Sequence, residues 1–380
     1  MAAKYWVGGN ASPNNNATSP TNWSLSSGGT GNAAAPTVSD DVYFDSNSGA
    51  LPWILTASTS WKSLTITSGY TGLMTHNTGQ NLTVVNNITL SNNYSIAGLG
   101  NLIWSGAGTL TSNGMVWPNN LTLSGVFTKV LSGDFNIGGL LSVSGVTVLN
   151  GAILYCVGLT SASAISGTAS IVLKGGTWGS VGIVSLASLS FDGNVTIAGS
   201  LNIKNTTLNY ISGTIVTSGS ILTMNSAIVL NTSPIIFNIV VWSGITSMTI
   251  NSLFQSATLQ INNLSFSILG TAGFIIDTLN DLHAVTTATL TFAYSNTYIV
   301  TKALNIFRMA YNNPLTYISN DPTQRVPFIL QYGATCNVAN VNFTRFNASG
   351  GRTITTFNGV VTDSPNIVSF NDFTTVASSF

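Results

Sequence analysis

Carboxylates are the first side chains to consider for chemistry, because aspartate supplies all ten acidic residues of this 380-residue sequence. Cleavage of a glycosidic bond needs two carboxyl groups that face the bond, ~5 to 10 Å apart. The candidate pairs are Asp277 with Asp281, and Asp40 with Asp45. Aspartates also bond their own backbone in turns, and we expect that use of all four. The sequence therefore predicts that the protein is not an enzyme, with glycan cleavage by one Asp pair as the alternative.

Histidine and cysteine are scarce and widely separated. His76 and His283 are the only histidines, and Cys156 and Cys336 are the only cysteines. Neither pair has the spacing of zinc ligands, and we expect the cysteines to be small buried side chains in strands. Residues 40–45 offer carboxylate oxygens for calcium but lack the glycine-containing repeat of calcium-binding loops. We therefore expect no metal ion and no other cofactor.

Charged side chains make up only 5% of the sequence, and the formal net charge is zero. Because Glu is absent while Thr, Val, Ile, Asn, Ser and Gly dominate, the composition favours strands and turns over helices. Six lysines and four arginines provide no basic face for phosphates, so we expect no nucleic-acid partner. So few charges favour association of subunits. We expect a homo-oligomer, with a trimer favoured.

The mean hydropathy of +0.37 makes a membrane segment worth testing. The most apolar run, residues 235–242, contains Asn238 and is far shorter than the ~18 to 20 residues of a membrane helix. We therefore expect no membrane insertion. The first nine residues lack the apolar core of a secretory signal, so we expect synthesis in the cytoplasm.

Apolar–polar–apolar triplets recur between turns rich in Asn, Ser and Gly. Five of them follow one another at roughly 18 to 20 residues, beginning at Leu64, Leu82, Leu102, Leu121 and Leu141. Such a period with strand-like alternation is typical of a solenoid whose coils stack strand on strand. We predict an all-β fold: a parallel, right-handed β-solenoid (β-helix) over residues 51–300. Leu, Ile, Val and Phe should point inward, and Thr, Ser and Asn outward.

Two expectations about side chains follow from this architecture. Asparagines repeated at turns should stack as hydrogen-bonded ladders between coils. The tryptophans of the repeat region should fill coil interiors or subunit interfaces rather than bind sugars at the surface. These tryptophans are Trp53, Trp61, Trp104, Trp117, Trp178 and Trp242. Residues 145–185 are poor in large apolar side chains, and the sequence does not reveal the coil positions there.

The two ends of the chain differ from the repeat. Residues 1–50 combine a long polar loop with aromatic anchors, and we expect them to cap the first coil or attach to a partner. The anchors are Tyr5, Trp6, Trp23, Tyr43 and Phe44. Residues 301–380 contain all four arginines. They predict a separate β-rich segment of terminal coils or for oligomerisation, with a short helix at residues 304–311. Its aromatic side chains suited to docking on a neighbour are Phe370, Phe373 and Phe380.

The order KYWVGG … TNWSLSSGG … APTVSDDVYFDSNSG resembles an opening module of β-solenoid proteins in tailed-phage virions. More loosely, it resembles the openings of bacterial surface β-helices. The resemblance implies a structural virion protein, such as a head fibre, a capsid decoration or a tail fibre or spike subunit, that acts as a rigid spacer. It implies other copies of the chain, other virion proteins and a host surface glycan as partners. It carries over no catalytic residue.

Two alternatives to a virion protein remain open. One is a tailspike-like polysaccharide depolymerase that uses an Asp pair. The other is a bacterial surface adhesin or filament subunit, located at the cell surface or outside the cell. Genes for capsid and tail proteins beside this gene would favour the virion, whereas genes for secretion would favour the adhesin.

Overall fold

The computed structural model describes residues 2–8, 15–180, 182–262, 265–283, 288–308 and 315–370. It is all-β, with 56% of residues in strands and parallel coils that stack into about 15 turns. This confirms the prediction of a parallel β-solenoid; the hand of the coils stays a prediction. The chain divides into two compact units, Met1–Thr196 with Ser212–Thr214, and Ile197–Ile211 with Ile215–Phe380. These limits differ from the predicted limits at residues 50 and 300.

Short strands dominate the first unit, because each apolar–polar–apolar triplet is followed at once by a turn. A single 3-10 helix turn, Pro20–Asn22, is the only helical element of the described residues. The strands are β1 (Ala3–Trp6), β2 (Trp23–Ser24), β3 (Asp41–Phe44), β4 (Trp53–Leu55), β5 (Thr59–Trp61), β6 (Ser63–Ile66), β7 (Leu73–His76), β8 (Asn81–Val84), β9 (Ile88–Thr89), β10 (Ser95–Gly98), β11 (Asn101–Trp104), β12 (Gly108–Thr111), β13 (Val116–Trp117), β14 (Leu121–Leu123), β15 (Phe127–Ser132), β16 (Phe135–Ile137), β17 (Leu140–Val143), β18 (Thr147–Gly151), β19 (Ile153–Cys156), β20 (Gly158–Ser161), β21 (Ile165–Ser166), β22 (Ser170–Leu173), β23 (Gly176–Ser180), β24 (Ile183–Ser185) and β25 (Ser188–Asp192).

Three parallel sheets form the faces of this unit, and from β12 onward each coil contributes one strand to each sheet. Sheet 1 contains β3, β6, β9, β12, β15, β18, β21 and β24. Sheet 2 contains β5, β8, β11, β14, β17, β20 and β23. Sheet 3 contains β13, β16, β19, β22 and β25. In the first coils, β4, β7 and β10 form a smaller parallel sheet.

The repeat read from the sequence is one column of sheet 2. Leu82, Leu102, Leu121 and Leu141 are stacked in register, and each is at most 1% exposed. Leu64 does not belong to this column, because it lies in sheet 1, where it pairs with Val42 and Ile88. That part of the prediction is wrong, since strands of different sheets within one coil have the same apolar–polar–apolar pattern.

Coils are present in residues 145–180 and 182–185, where the sequence did not reveal them. In sheet 2, Leu141 pairs with Leu159, and Leu159 pairs with Trp178. In sheet 1, Thr147 pairs with Ile165. This segment has few large apolar side chains, and the fully buried indole of Trp178 is one of them.

The amino-terminal residues form the first rung of this unit. β1 pairs with β3 in parallel, and β2 pairs with β1 in antiparallel orientation. Trp6, Trp23 and Phe44 have no exposed surface, and the ring centroids of Trp6 and Trp23 are 5.1 Å apart. The Trp23 indole donates a 2.7 Å hydrogen bond to the Ala17 carbonyl. Strand β2 thus covers one edge of β1, and it runs in the direction opposite to the strands of the stacked coils.

The second unit has longer strands, and two of them make up most of each coil. The remaining strands of the chain are β26 (Val195–Ala198), β27 (Ser200–Lys204), β28 (Thr207–Ser212), β29 (Ile215–Val216), β30 (Ile221–Asn225), β31 (Ile228–Asn231), β32 (Ile236–Trp242), β33 (Ser247–Ile250), β34 (Phe254–Ile261), β35 (Phe266–Leu269), β36 (Phe274–His283), β37 (Thr289–Phe292), β38 (Tyr298–Arg308), β39 (Leu315–Ser319), β40 (Val326–Leu330), β41 (Thr335–Ala339), β42 (Val341–Thr344), β43 (Phe346–Asn347), β44 (Ile354–Phe357), β45 (Val361–Thr362) and β46 (Ile367–Phe370).

Two parallel sheets run through this unit. Sheet 4 contains β27, β30, β32, β34, β36 and β38, after which each rung is split into two shorter strands, β40 with β41 and β43 with β44. β46 pairs with β44. Sheet 5 contains β28, β31, β33, β35, β37, β39, β42 and β45.

The short helix predicted at residues 304–311 is wrong over the part that the structure describes, because β38 runs to Arg308. Leu304 and Asn305 pair with Leu279 and Asn280 on one side, and Leu304 pairs with Cys336 on the other. Strand pairing on both edges outweighs a local preference for helix, which is worth only tenths of a kcal/mol per residue.

Candidate functional site

The acid pair of the second unit is divided between the inside and the outside of the coil. An uninterrupted strand would place residues four apart on one face. In β36, the alternation of inward and outward side chains slips by one position between Ile276 and Leu279. Asp277 therefore points outward, whereas Asp281 has no exposed surface. The two carboxyl groups do not face a common substrate position.

The buried carboxyl of Asp281 accepts a 2.7 Å hydrogen bond from the hydroxyl group of Tyr317. Burial, together with the adjacent carboxylate, raises the pKa of the Tyr317 phenol far above its usual value. The hydroxyl therefore stays protonated and remains a donor. This pair satisfies polar groups inside the coil and is closed to a glycan.

Asp40 and Asp45 organise the two turns that flank β3. The Asp40 carboxylate accepts hydrogen bonds from the Thr37 backbone, the Thr37 hydroxyl and the Ala2 backbone. Burial acts to raise the pKa of Asp40, but these hydrogen bonds outweigh it and lower the pKa. Asp45 accepts from the backbone N–H groups of residues 47 and 48. Because the four-residue strand β3 separates Asp40 from Asp45, their Cα atoms are about 16 Å apart along the chain.

His76 is a core residue of the first unit. It is 1% exposed, and its ring lies 6.2 Å from that of Trp53 and 6.0 Å from that of Trp117. Both imidazole nitrogens lack a hydrogen-bond partner among the described residues. Burial lowers the pKa of the imidazole to about 4, so the ring is neutral at pH 7. His283 has no described side chain.

The cysteines are free thiols, Cys156 fully buried and Cys336 partly exposed. Burial raises the pKa of the Cys156 thiol to about 12, which removes thiolate reactivity at neutral pH. In the part of the chain that the structure describes, no three His, Cys, Asp or Glu side chains form a group that could hold a metal ion.

The aromatic residues predicted for the cap or an interface occupy different environments. Trp6, Trp23 and Phe44 are buried within the chain and are closed to a partner. Tyr5 and Tyr43 point outward, with stacked rings whose centroids are 5.0 Å apart. At the other end, the backbone of Phe370 belongs to β46, while its side chain, Phe373 and Phe380 lie outside the described residues.

The outer surface of both units is hydroxyl- and amide-rich rather than aromatic. All eight tryptophans are at most 2% exposed, which confirms that they fill coil interiors. Asparagine ladders join successive coils, but they run along strands rather than at the turns where they were predicted, and only Asn120 among their members lies outside a strand. In each ladder the side-chain N–H of one coil donates to the side-chain oxygen of the coil before it. The ladders are Asn81–Asn101–Asn120, Asn202–Asn225, Asn209–Asn231 and Asn280–Asn305–Asn337.

Most lysines on the outside are tied to an aspartate on a neighbouring coil. The pairs are Lys62–Asp41, Lys174–Asp192 and Lys302–Asp277, and Arg325–Asp363 repeats the arrangement with arginine. These partly exposed pairs contribute little to stability individually. They neutralise part of the small charge that the surface carries.

The most distinctive outer feature of sheet 4 is a column of bulges that widens from β36 to β38 and again on the next coil. One inserted residue, Asp277 in β36, lies opposite two in β38, Thr301 and Lys302. These two lie opposite the four-residue turn 331–334 between β40 and β41. On the next coil, Arg352 donates hydrogen bonds to the carbonyls of the same turn and of the strand before it. We call Asp277, Lys302, Tyr332 and Arg352 the Tyr332 corner.

The Tyr332 corner combines an open aromatic ring with cations on either side along the coil stack. Tyr332 is 82% exposed, the highest value among the large apolar and aromatic side chains of the described residues. Lys302, with 71% of its side chain exposed, bonds Asp277 at 2.6 Å. Hydrogen bonds from Lys302 and Thr301 lower the pKa of Asp277 and keep it ionised. Sequence analysis missed this cluster, because bulges bring together residues that are 20 to 30 positions apart only once the register is known.

In the described part of the chain, no helix reaches the length and hydrophobicity that crossing a membrane requires. Comparisons with protein-family models, with curated proteins and with solved structures find no match to this chain.

Proposed function

We propose that the chain is a structural component of a tailed-phage virion, a rigid β-solenoid spacer that docks to copies of itself and to neighbouring virion proteins. A head fibre, a capsid decoration and a tail fibre or spike subunit all fit this role. The observation that carries the proposal is the stack of parallel coils with a nearly uncharged outer surface, in which asparagine ladders join successive coils.

Rigidity follows from how the coils are joined. Every strand in the interior of a sheet is bonded through its backbone on both edges, and the ladders add side-chain hydrogen bonds between the same coils. The low charge favours burial of surface between subunits, because few ions have to be desolvated on contact. The virion location is supported by the resemblance of residues 4–49 to phage modules. A host surface glycan is the proposed external partner.

The depolymerase alternative gains no support from the acid pairs. Asp277 and Asp281 are on opposite sides of the coil wall, and Asp40 and Asp45 hold separate turns. All four have structural partners that account for their presence.

The virion proposal is tested by where the protein occurs. We expect its gene to lie among capsid and tail genes, and its peptides to be found by mass spectrometry in particles purified on a density gradient. Neighbouring secretion genes, with the peptides found in the bacterial envelope fraction and not in particles, would instead establish the surface adhesin.

A further inference from the structure

We propose that the Tyr332 corner is a binding site for an acidic glycan, with the Tyr332 ring stacked on a sugar and the Arg352 guanidinium paired with a sugar carboxylate. This inference rests on the adhesive part of the proposed function, because it names the ligand class and the residues that recognise it. All four residues of the corner belong to the second unit.

The bulges are the first argument. β32, β34 and β36 each have two consecutive outward positions at this column, β38 has three, and the next coil has a whole turn. Bulges re-aim side chains and are typical of functional sites in sheets. Here the widest of them holds Tyr332 out into solvent. The turn that holds it is anchored from both sides: the Gln331 N–H donates to Val300 O at 2.9 Å, and the Arg352 guanidinium donates to Ala334 O.

The side chains of the corner are the second argument. A tyrosine ring presents an apolar face with a polar hydroxyl at its tip, which suits the mixed surface of a sugar. In a chain that buries all its tryptophans, the ring of Tyr332, 82% exposed at an anchored turn, is the most open stacking surface among the described aromatic side chains. Lys302 and Arg352 lie on the coils before and after the turn, which places one cation on each side of the turn that carries the ring.

Charge selects the class of glycan. Asp277 neutralises Lys302, and within the described residues no carboxylate is bonded to Arg352, so the four side chains of the corner carry one net positive charge. The guanidinium is a planar fork that matches a carboxylate. A uronic or sialic acid offers both a ring to stack and a carboxylate to pair. A phosphate would contact only the cations Lys302 and Arg352, and a neutral glycan would stack only on the Tyr332 ring.

The experiment is calorimetric titration of the full chain with acidic glycans and their neutral counterparts. The acidic probes are oligogalacturonate and sialyllactose; the neutral ones are methyl-esterified oligogalacturonate and lactose; inorganic phosphate tests for an anion alone. We expect an acidic probe to bind about tenfold more tightly than its neutral counterpart, and phosphate not to compete at about 10 mM. Tyr332→Ala and Arg352→Gln should each weaken acidic binding about tenfold.

Matched variants separate the corner from a general effect on the fold. Tyr294→Ala and Arg325→Gln remove an exposed tyrosine and an exposed arginine elsewhere in the second unit and should leave binding unchanged. Asp277→Asn frees Lys302 and should tighten acidic binding several-fold, a gain that misfolding does not produce. Failure of both acidic probes to bind, or equal binding to Tyr332→Ala, would overturn the site. Equal affinity for neutral probes would overturn the acidic class. None of these outcomes depends on whether the protein occurs in virions.

Discussion

His76 shows how a single buried imidazole makes stability depend on pH. Its pKa is about 4 in the folded chain because of burial, against an ordinary value of 6.5. Because the folded pKa is lowered, stability is complete above pH 6.5 and is lost as pH falls towards 4. The full shift corresponds to about 3 kcal/mol. We expect the free energy of unfolding, measured with urea, to fall by about that amount between pH 7 and pH 4.

His76→Leu is the matched variant for this measurement. It fills a similar volume without two ring nitrogens that lack partners among the described residues, and it should be at least as stable as the natural chain at pH 7. Its stability should be nearly flat between pH 7 and 5, since aspartates with a lowered pKa lose their contribution only as pH falls towards their ordinary value of 3.8 and below. An equal slope in both proteins would show that other groups control acid unfolding.

Lys129 is a second buried ionisable side chain, a cation inside the wall of the coil. It has no exposed surface, its Nζ donates to Ser124 O at 3.0 Å, and it lies 5.7 Å from the ring centroids of Trp104 and Phe127. Burial lowers its pKa from 10.5 to about 8. The unfolded chain therefore binds more protons between pH 8 and 10.5, and stability rises with pH in that window.

Lys129→Met tests this assignment through a difference between two proteins. The variant removes a buried charge, and the lost hydrogen bond and ring contacts offset part of the gain. We expect it to be more stable than the natural chain by about 1 kcal/mol at pH 7. The advantage should shrink from pH 8 upward and reverse before pH 10, because a lowering from 10.5 to about 8 corresponds to about 3 kcal/mol that the natural chain regains. A constant difference over this range would mean that Lys129 keeps its ordinary pKa.

At the scale of elements, the asparagine ladders connect coils beyond the backbone pairing. Asn305 occupies the middle of its ladder: it donates to Asn280 and accepts from Asn337, at 2.9 Å each. Asn305→Ala breaks both bonds, whereas Asn337→Ala at the ladder's end breaks one. We expect losses of about 1–2 kcal/mol and about half of that, respectively, in urea unfolding. Equal losses would indicate that the bonds contribute nothing beyond the side chains' own burial.

The period of the coils could be predicted from sequence because one column, Leu82 to Leu141, keeps a buried leucine on every coil. The assignment of strands to sheets could not, since triplets of different sheets look alike, as Leu64 shows. The helix expected at 304–311 failed for a related reason: pairing partners in β36 and β41 decide the conformation, and they are distant in sequence. Local patterns identify strands, while neighbours in the stack decide where they belong.

The candidate site was less accessible to sequence reasoning than the fold. In a strand with regular alternation Asp277 and Asp281 would share a face, but the slip of the alternation at Ile276 separates them. The same column of bulges creates the Tyr332 corner, because β38 and the turn 331–334 each hold additional outward residues there. An inserted residue leaves no signature of its own in the sequence, since its polar character is that of any outward position.

At the scale of the whole molecule, the scarcity of charge governs association. With 5% charged residues and zero net charge, electrostatic repulsion between copies is weak. Several large apolar side chains remain on the outside, among them Ile236 at 58% and Val360 at 62% exposed. Contacts made by such surfaces are hydrophobic, and salt does not screen them.

We therefore expect a homo-oligomer whose mass in light scattering is near three times 39.6 kDa at micromolar concentration. Raising sodium chloride from about 0.05 to 1 M should leave this mass unchanged, because that range shortens the screening length from above 10 Å to about 3 Å and so removes ionic contacts only. A monodisperse monomer would contradict the proposed assembly. Dissociation at high salt would show instead that the paired charges, such as Lys302 with Asp277, act between chains rather than within one.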